Sequence, residues 1–245
     1  MRFKFIALLV CFGMQAFVAH AEYRKFADAN GRIIEAELVR YDSSQKKVTI
    51  KRKGNGATKT VPISIFSETD QKYIISWNEN QDFLSERKLK VIFNRRKNKN
   101  TDKSSSGGWW DRKYYDCSFS IEFDNRSTVD FTDVDFSYVI FYTQEHHTKN
   151  RTDKNEEHGS LYAKKTISLP SKSTKEIETE KLILCHYKVA ESSSGQPDIE
   201  GEMHGIILNL SMKSETGGTI SRQIKYPDDL RHVWTPKTKN VLIQP

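Results

Sequence analysis

The feature that most constrains this chain is a two-residue alternation of apolar and polar side chains that recurs along most of its length. A β-strand turns successive side chains to opposite faces, so such a pattern describes half-buried strands. In "YDCSFSIEF", Cys117, Phe119, Ile121 and Phe123 share one face, while Ser118, Ser120 and Glu122 share the other. "DVDFSYVIFYT" places Val134, Phe136, Tyr138, Ile140 and Tyr142 together in the same way. Nearer the start, "RIIEAELVRYD" groups Ile34, Ala36 and Leu38 against Glu35 and Glu37, and "KKVTIKRK" groups Val48 and Ile50. Thirteen Phe, ten Tyr and four Trp supply the aromatic surface that all-β cores require.

Turn chemistry separates these runs. "DANG" at 28–31 carries an Asn-Gly pair ahead of the first long strand, a hairpin signal. "YDSSQ" and "KGNGATK" punctuate the next two strands, and "TVPISIF" follows. Pro62 has no amide to give a ladder and belongs at a strand end or edge. Ser67 and Asp70 have the spacing of a capping box, which predicts a short helical turn carrying Ile74 and Trp77 on one face. Four or five short strands closed by one helical turn describe an SH3-like barrel.

The segment from Tyr23 to Trp77 also resembles the Sla homology domain, an SH3-like barrel found in an endocytic adaptor and in exported bacterial proteins. The resemblance is carried by the aromatic before "DANG", the "G-x-x-x-EA" strand opening, "V-x-I-K", "VPI" and "FSETDQKYI". It implies a peptide- or protein-binding module without catalysis. From Lys113 the chain is again β: "KTISL", "KEIETEKLIL", "HGIILNLSMK" and "GTISRQIKY" extend the series, the last two joined by "SETGG". Six or seven strands there predict a β-sandwich of immunoglobulin-like type. "SIEFDNRS", "VDFSYVIFY", "GIILNLSM" and "YPDDLRHVW" resemble the C-terminal sandwich of some exported bacterial proteins.

The expected layout is therefore a signal peptide at 1–21, the barrel at 22–77, a basic linker at 78–112 and the sandwich at 113–245. Arg2 and Lys4 precede the apolar run "FIALLVCFGMQAFVA", and Ala19 to Ala21 form a small-x-small cleavage site before Glu22. The run is short for a membrane span, so the expectation is a secreted or periplasmic protein without one. Loss of the two cations takes the formal charge from +7 to +5, a weak bias toward acidic partners. Cys11 leaves with the leader. Cys117 and Cys185 then form either a disulfide or two separate buried thiols.

The linker "ERKLKVIFNRRKNKNTDKSSSGG" concentrates Arg87, Lys88, Lys90, Arg95, Arg96, Lys97 and Lys99. It reads as a solvated connector or as a contact for an anionic polymer; "LKVIF" within it has the composition of one more strand. Trp109 and Trp110 either pack or stack on sugars. In "EHHTKNRTDKNEEHG", Glu145, His146, His147, Glu156, Glu157 and His158 match no zinc spacing and fall in a polar loop between strands. Asp133/Asp135 and Glu35/Glu37 occupy outward strand positions and need no catalytic role. Asn125, Asn150 and Asn209 head glycosylation sequons, which matter only in a eukaryotic secretory route. No nucleophile elbow, phosphate loop or dinucleotide fingerprint is present. The reading is a non-enzymatic binding or scaffolding protein with a protein or peptide ligand, no cofactor and no nucleic-acid partner. The alternative is a metal- or carboxylate-dependent hydrolase of envelope polymers centred on residues 145–158.

Overall fold

The computed structural model describes residues 23–107, 110–190, 195–215 and 217–240. The expected leader, its cleavage site and Trp109 lie outside the described residues. The described residues are all-β apart from one α-helix and one 3-10 turn, and the chain divides into two compact units between Ile75 and Ser76. No described helix is long and apolar enough to cross a membrane.

The first unit is a four-stranded antiparallel sheet in chain order: β1 (Arg24–Ala27), β2 (Ile33–Asp42), β3 (Lys47–Arg52) and β4 (Thr58–Pro62). Asp28 organises the first hairpin, its carboxylate accepting the amides of Asn30 and Arg32, each at 2.8 Å, while Gly31 takes φ +77°. A left-handed residue there suits glycine, which has no Cβ to clash. Ala36, Leu38, Val48 and Ile50 are buried, as alternation requires. The register shifts between Leu38 and Arg40, and Val39 is left exposed at that bulge. Pro62 ends β4, where its missing amide costs nothing. The 3-10 turn Ile63–Ile65 then leads Phe66 back to a bridge with Asp28, so the sheet curls onto its own first strand.

The capping box forms in a modified way. Ser67 Oγ accepts the Asp70 amide at 3.3 Å. Asp70, instead of returning to the Ser67 amide, accepts the Ala27 amide at 2.7 Å, and the Ser67 amide goes to the Ala27 carbonyl at 2.8 Å. The cap thus satisfies orphan amides and ties the helix start to β1 in one step. The helix itself, α1 (Glu68–Leu84), runs seventeen residues rather than the single turn expected.

The second unit holds two sheets facing one core. One has the order β10 (Leu182–Val189), β6 (Trp110–Asn125), β5 (Leu89–Gly107), with β9 (Ser173–Glu178) pairing the other half of β6. The other has the order β12 (Thr219–Tyr226), β11 (Gly201–Lys213), β7 (Phe131–His147), β8 (Lys154–Leu169). Phe119, Ile121 and Phe123 of the first sheet meet Phe136, Tyr138 and Leu208 of the second in one buried cluster, which Phe83 of α1 joins through an edge contact with Phe131. Full burial of each such side chain stabilises by about 2–3 kcal/mol. Tyr138 keeps its hydroxyl satisfied by accepting the Glu180 amide at 2.8 Å, and burial pushes its pKa up to about 12.

Two expectations are corrected here. The proposed linker at 78–112 is the second half of α1, the strand β5 and the start of β6. β5 pairs with β6 from Leu89↔Asn125 to Gly107↔Trp110, which satisfies a backbone that a connector would leave to water. The second concerns the cysteines. Cys117 pairs with Leu182, whereas Cys185 pairs with Tyr114, three residues along β6. An odd offset turns the two side chains to opposite faces of the sheet, so no disulfide can form. Both thiols are free and buried, Cys117 in the main core and Cys185 against Tyr187 and Ile199. Burial raises the pKa of each. Alkylation without reductant is therefore expected to label both cysteines in denaturant and neither in the folded protein; a pair that labels only after reduction would contradict this register.

Candidate functional site

Two surfaces of the second unit bring polar side chains together. The first lies where the inward-facing rows run out of apolar residues. On β6 the row Phe119, Cys117 continues to Tyr115, Lys113 and Asp111; on β10 Leu182 and Leu184 give way to His186 and Lys188. The result is a polar cleft of about 450 Å³ shared with Lys97, Glu145, Lys154 and Glu200. Lys97 Nζ lies 3.1 Å from His186 Nε2 and 4.5 Å from the centre of the Tyr115 ring. The ammonium has only protons to offer, so Nε2 accepts and Nδ1 carries the hydrogen toward Glu200, 3.4 Å away. Burial first, and Lys97 second, hold the His186 pKa below its usual value of 6.5. The cations of the cleft are matched by carboxylates: Lys113 pairs with Asp111 at 2.6 Å and Lys154 with Glu145 at 2.7 Å. Among the described residues, the lining contains no serine, threonine or cysteine beside His186.

Four histidines, His146, His147, His186 and His232, have pKa values lowered chiefly by burial. A depressed histidine resists protonation in the folded state, while the unfolded chain takes up protons as pH falls through the ordinary value. Stability is thus expected to fall as the pH drops through the ordinary histidine value of about 6.5. Thermal melts on either side of that pH check it, and His186→Gln should flatten part of the slope. A midpoint that rises on acidification would contradict the burial of these rings.

The segment 145–158 is a hairpin, with His146 and His147 in β7 and Glu156, Glu157 and His158 in β8. Register sets His146 opposite Asn155 and Thr143 opposite His158, so alternation turns His146 to one face and His147 and His158 to the other, with His158 level with Thr143 rather than with His147. Among the described residues no three His, Cys, Asp or Glu side chains are placed to hold a metal ion. Asp135 pairs with Lys164, Glu35 with Lys53 and Glu37 with Lys51, all as surface ion pairs. Asn125 is buried and its amide donates to the carbonyls of Val129, Leu169 and Pro170, which makes it a loop organiser. Trp110 packs against the cluster around Cys185.

The second surface is β5. It is the outermost strand of its sheet, nineteen residues long and mostly exposed. The strand period divides the seven basic residues expected to form one contact. Lys90 and Arg96 face outward, level with Asp124 and Ser118, and Arg96 pairs with Glu176 at 2.5 Å. Arg95, Lys97 and Lys99 face the other way, level with Phe119, Cys117 and Tyr115. Arg87 and Lys88 sit in the turn that precedes the strand. Arg87 and Lys90 alone of the seven line a groove of about 600 Å³ between β5 and β12. Arg126, Arg222 and Lys225 join them there from distant parts of the chain, a convergence with no local sequence signal.

The two sides of the sandwich are finished differently. On the β10/β8 side the edges are sealed. Gln144 brackets the Cys185 backbone, and Ile199 exchanges both hydrogen bonds with Tyr187. Lys239 likewise exchanges both with Ser160, and Thr238 Oγ1 accepts the Tyr162 amide at 3.2 Å. On the β5/β12 side two arginines reach across instead. Arg222 donates to the Leu89 carbonyl at 2.8 Å and Arg95 to the His204 carbonyl at 2.9 Å, with Phe93 stacked on Tyr226 between them at 5.4 Å.

No family model matches the chain, and no curated protein matches it. Among solved structures it is similar to an X-ray structure of the structural genomics target SoR45, at 12% identity and a TM-score of 0.25, over 63% of this chain and 98% of that one. It is also similar to a putative ApaA protein from Bordetella pertussis, at 10% identity and a TM-score of 0.23, over 56% of this chain and 91% of that one. At these scores neither neighbour bears on the function.

Proposed function

We propose that the chain is an exported, non-catalytic binding or scaffolding protein that takes a peptide or protein segment along a β surface. The first unit serves as an SH3-like barrel of the Sla homology type, and the second as an immunoglobulin-like sandwich. The observation that carries the reading is the open, basic edge of β5, in contrast to the sealed edges of β10 and β8. An exposed strand edge presents unpaired amides and carbonyls, and proteins ordinarily cover or blunt such edges. Lysines and arginines along β5 discourage pairing with a second copy of itself while leaving the edge open to a segment of opposite charge. An anionic polymer meets only part of this surface, because the seven cations are divided between two faces.

Affinity recovery from an envelope fraction with the full mature chain as bait tests the reading. The expected result is a stoichiometric protein partner released by moderate salt. Recovery of no partner, together with turnover of an envelope polymer by the purified chain, would replace it with an enzymatic reading. Fractionation of expressing cells checks the export, with the mature N-terminus expected at Glu22.

A further inference from the structure

We propose that the groove between β5 and β12 seats an extended, acidic peptide segment of a protein partner, added as a strand to the β5 edge. This rests on the binding reading above and assigns it a site and a ligand chemistry.

The backbone supplies the first half of the argument. Residues two apart in a strand turn their amides and carbonyls to the same side. The Leu89 carbonyl points into the groove, where Arg222 takes it, so the backbone groups of Val91 and Phe93 point there too. Among the described residues they have no hydrogen-bond partner. From Leu89 to Arg95 the open edge spans roughly 20 Å, enough for about six residues of an incoming strand. The arginine bridges mark its two ends.

The side chains supply the second half. Val91, Phe93, Ile224 and Tyr226 give the groove an apolar floor, whereas five cations and only two carboxylates, Glu86 and Asp228, ring it. Three of the cations are engaged. Arg222 holds Leu89, Lys225 donates to the Leu230 and His232 carbonyls, and Arg126 pairs with Asp124. Arg87 and Lys90 are exposed and have no ion-pair partner among the described residues. An occupant that alternates apolar with acidic side chains places one row on the floor and the other on this rim. A polysaccharide would need an open aromatic face, and here Phe93 and Tyr226 spend theirs on each other.

The test uses the full chain and a fluorescent ten-residue peptide of alternating Glu and Val, read by anisotropy. Replacement of Glu by Gln, or methylation of alternate peptide amides, is expected to weaken binding about tenfold or more. The double variant R87S/K90S should do the same at an unchanged thermal midpoint. Binding that survives R87S/K90S, or that ignores amide methylation, overturns the groove and leaves the general binding reading standing. Heparin that competes fully and is lost on the same variant overturns the peptide in favour of a polyanion. Failure of the binding reading itself shows separately, as the absence of any partner in the recovery experiment.

Discussion

Gln144→Leu is expected to lower the unfolding free energy of the second unit by about 3–5 kcal/mol, because it strands two buried backbone groups at once. Gln144 is fully buried on β7, yet its amide serves the opposite sheet. Oε1 accepts the Cys185 amide at 2.9 Å and Nε2 donates to the Cys185 carbonyl at 3.0 Å. The side chain thus imitates a neighbouring strand at the edge of β10 and joins the two sheets through the core. Gly201 permits the approach, since a Cβ there would collide with Gln144 Oε1. Leucine fills a similar volume and offers neither donor nor acceptor, so the effect isolates the hydrogen bonds from cavity formation. Urea titration of the variant checks this. A loss below about 1 kcal/mol would mean that water or another group can satisfy Cys185, and that the bracket is incidental.

Gly205→Ala is the second large effect, expected at about 3 kcal/mol or more. Gly205 follows the register shift in β11, where Gly205 pairs with Phe141 and Met203 with Tyr142. A Cβ at this position would meet the Tyr226 carbonyl oxygen, and Leu230 Cδ1 at 2.9 Å. Backbone cannot rotate away as a long side chain can, so β12 must shift from β11. Tyr226 would move with it and uncouple from Phe93, opening the seam at the middle of the proposed groove. Gly54, which stands in open space, is the natural control: its substitution disturbs only a positive φ in a turn. Comparable losses at both positions would show that the β11–β12 approach is looser than described.

Most of the strand framework was legible because burial on one face writes a two-residue period. The row Cys117, Phe119, Ile121, Phe123 and the row Val134 to Tyr142 both face the core as the alternation requires. β5 was not legible for the converse reason. Beyond Phe93 it is an edge strand with solvent on both faces, so nothing selects apolar residues, and "NRRKNKNTDKSSSGG" reads as a connector. The second half of α1 hides similarly: Asn78 to Asp82 are half-buried and polar, and Phe83 alone carries the helix into the core. "KEIETEKLIL" looked continuous, but the chain breaks at Thr179, which turns to cap the Phe119 amide and divides it into β9 and β10. The cysteine pair depended on register, which composition does not encode. The groove joins residues near 90 to residues near 225, and only the folded sheets bring them together.

Amide hydrogen exchange across residues 87–107 is decisive, since the open edge exists only if β5 is a strand paired on one side. Residues bonded to β6, such as Lys90, Ile92 and Asn94, are expected to exchange slowly, and the outward amides of Val91 and Phe93 quickly. Uniformly fast exchange through this stretch, with tryptic cleavage at Arg95 and Lys97 in the folded protein, would mean that it is a mobile connector and that no edge exists for a partner to extend.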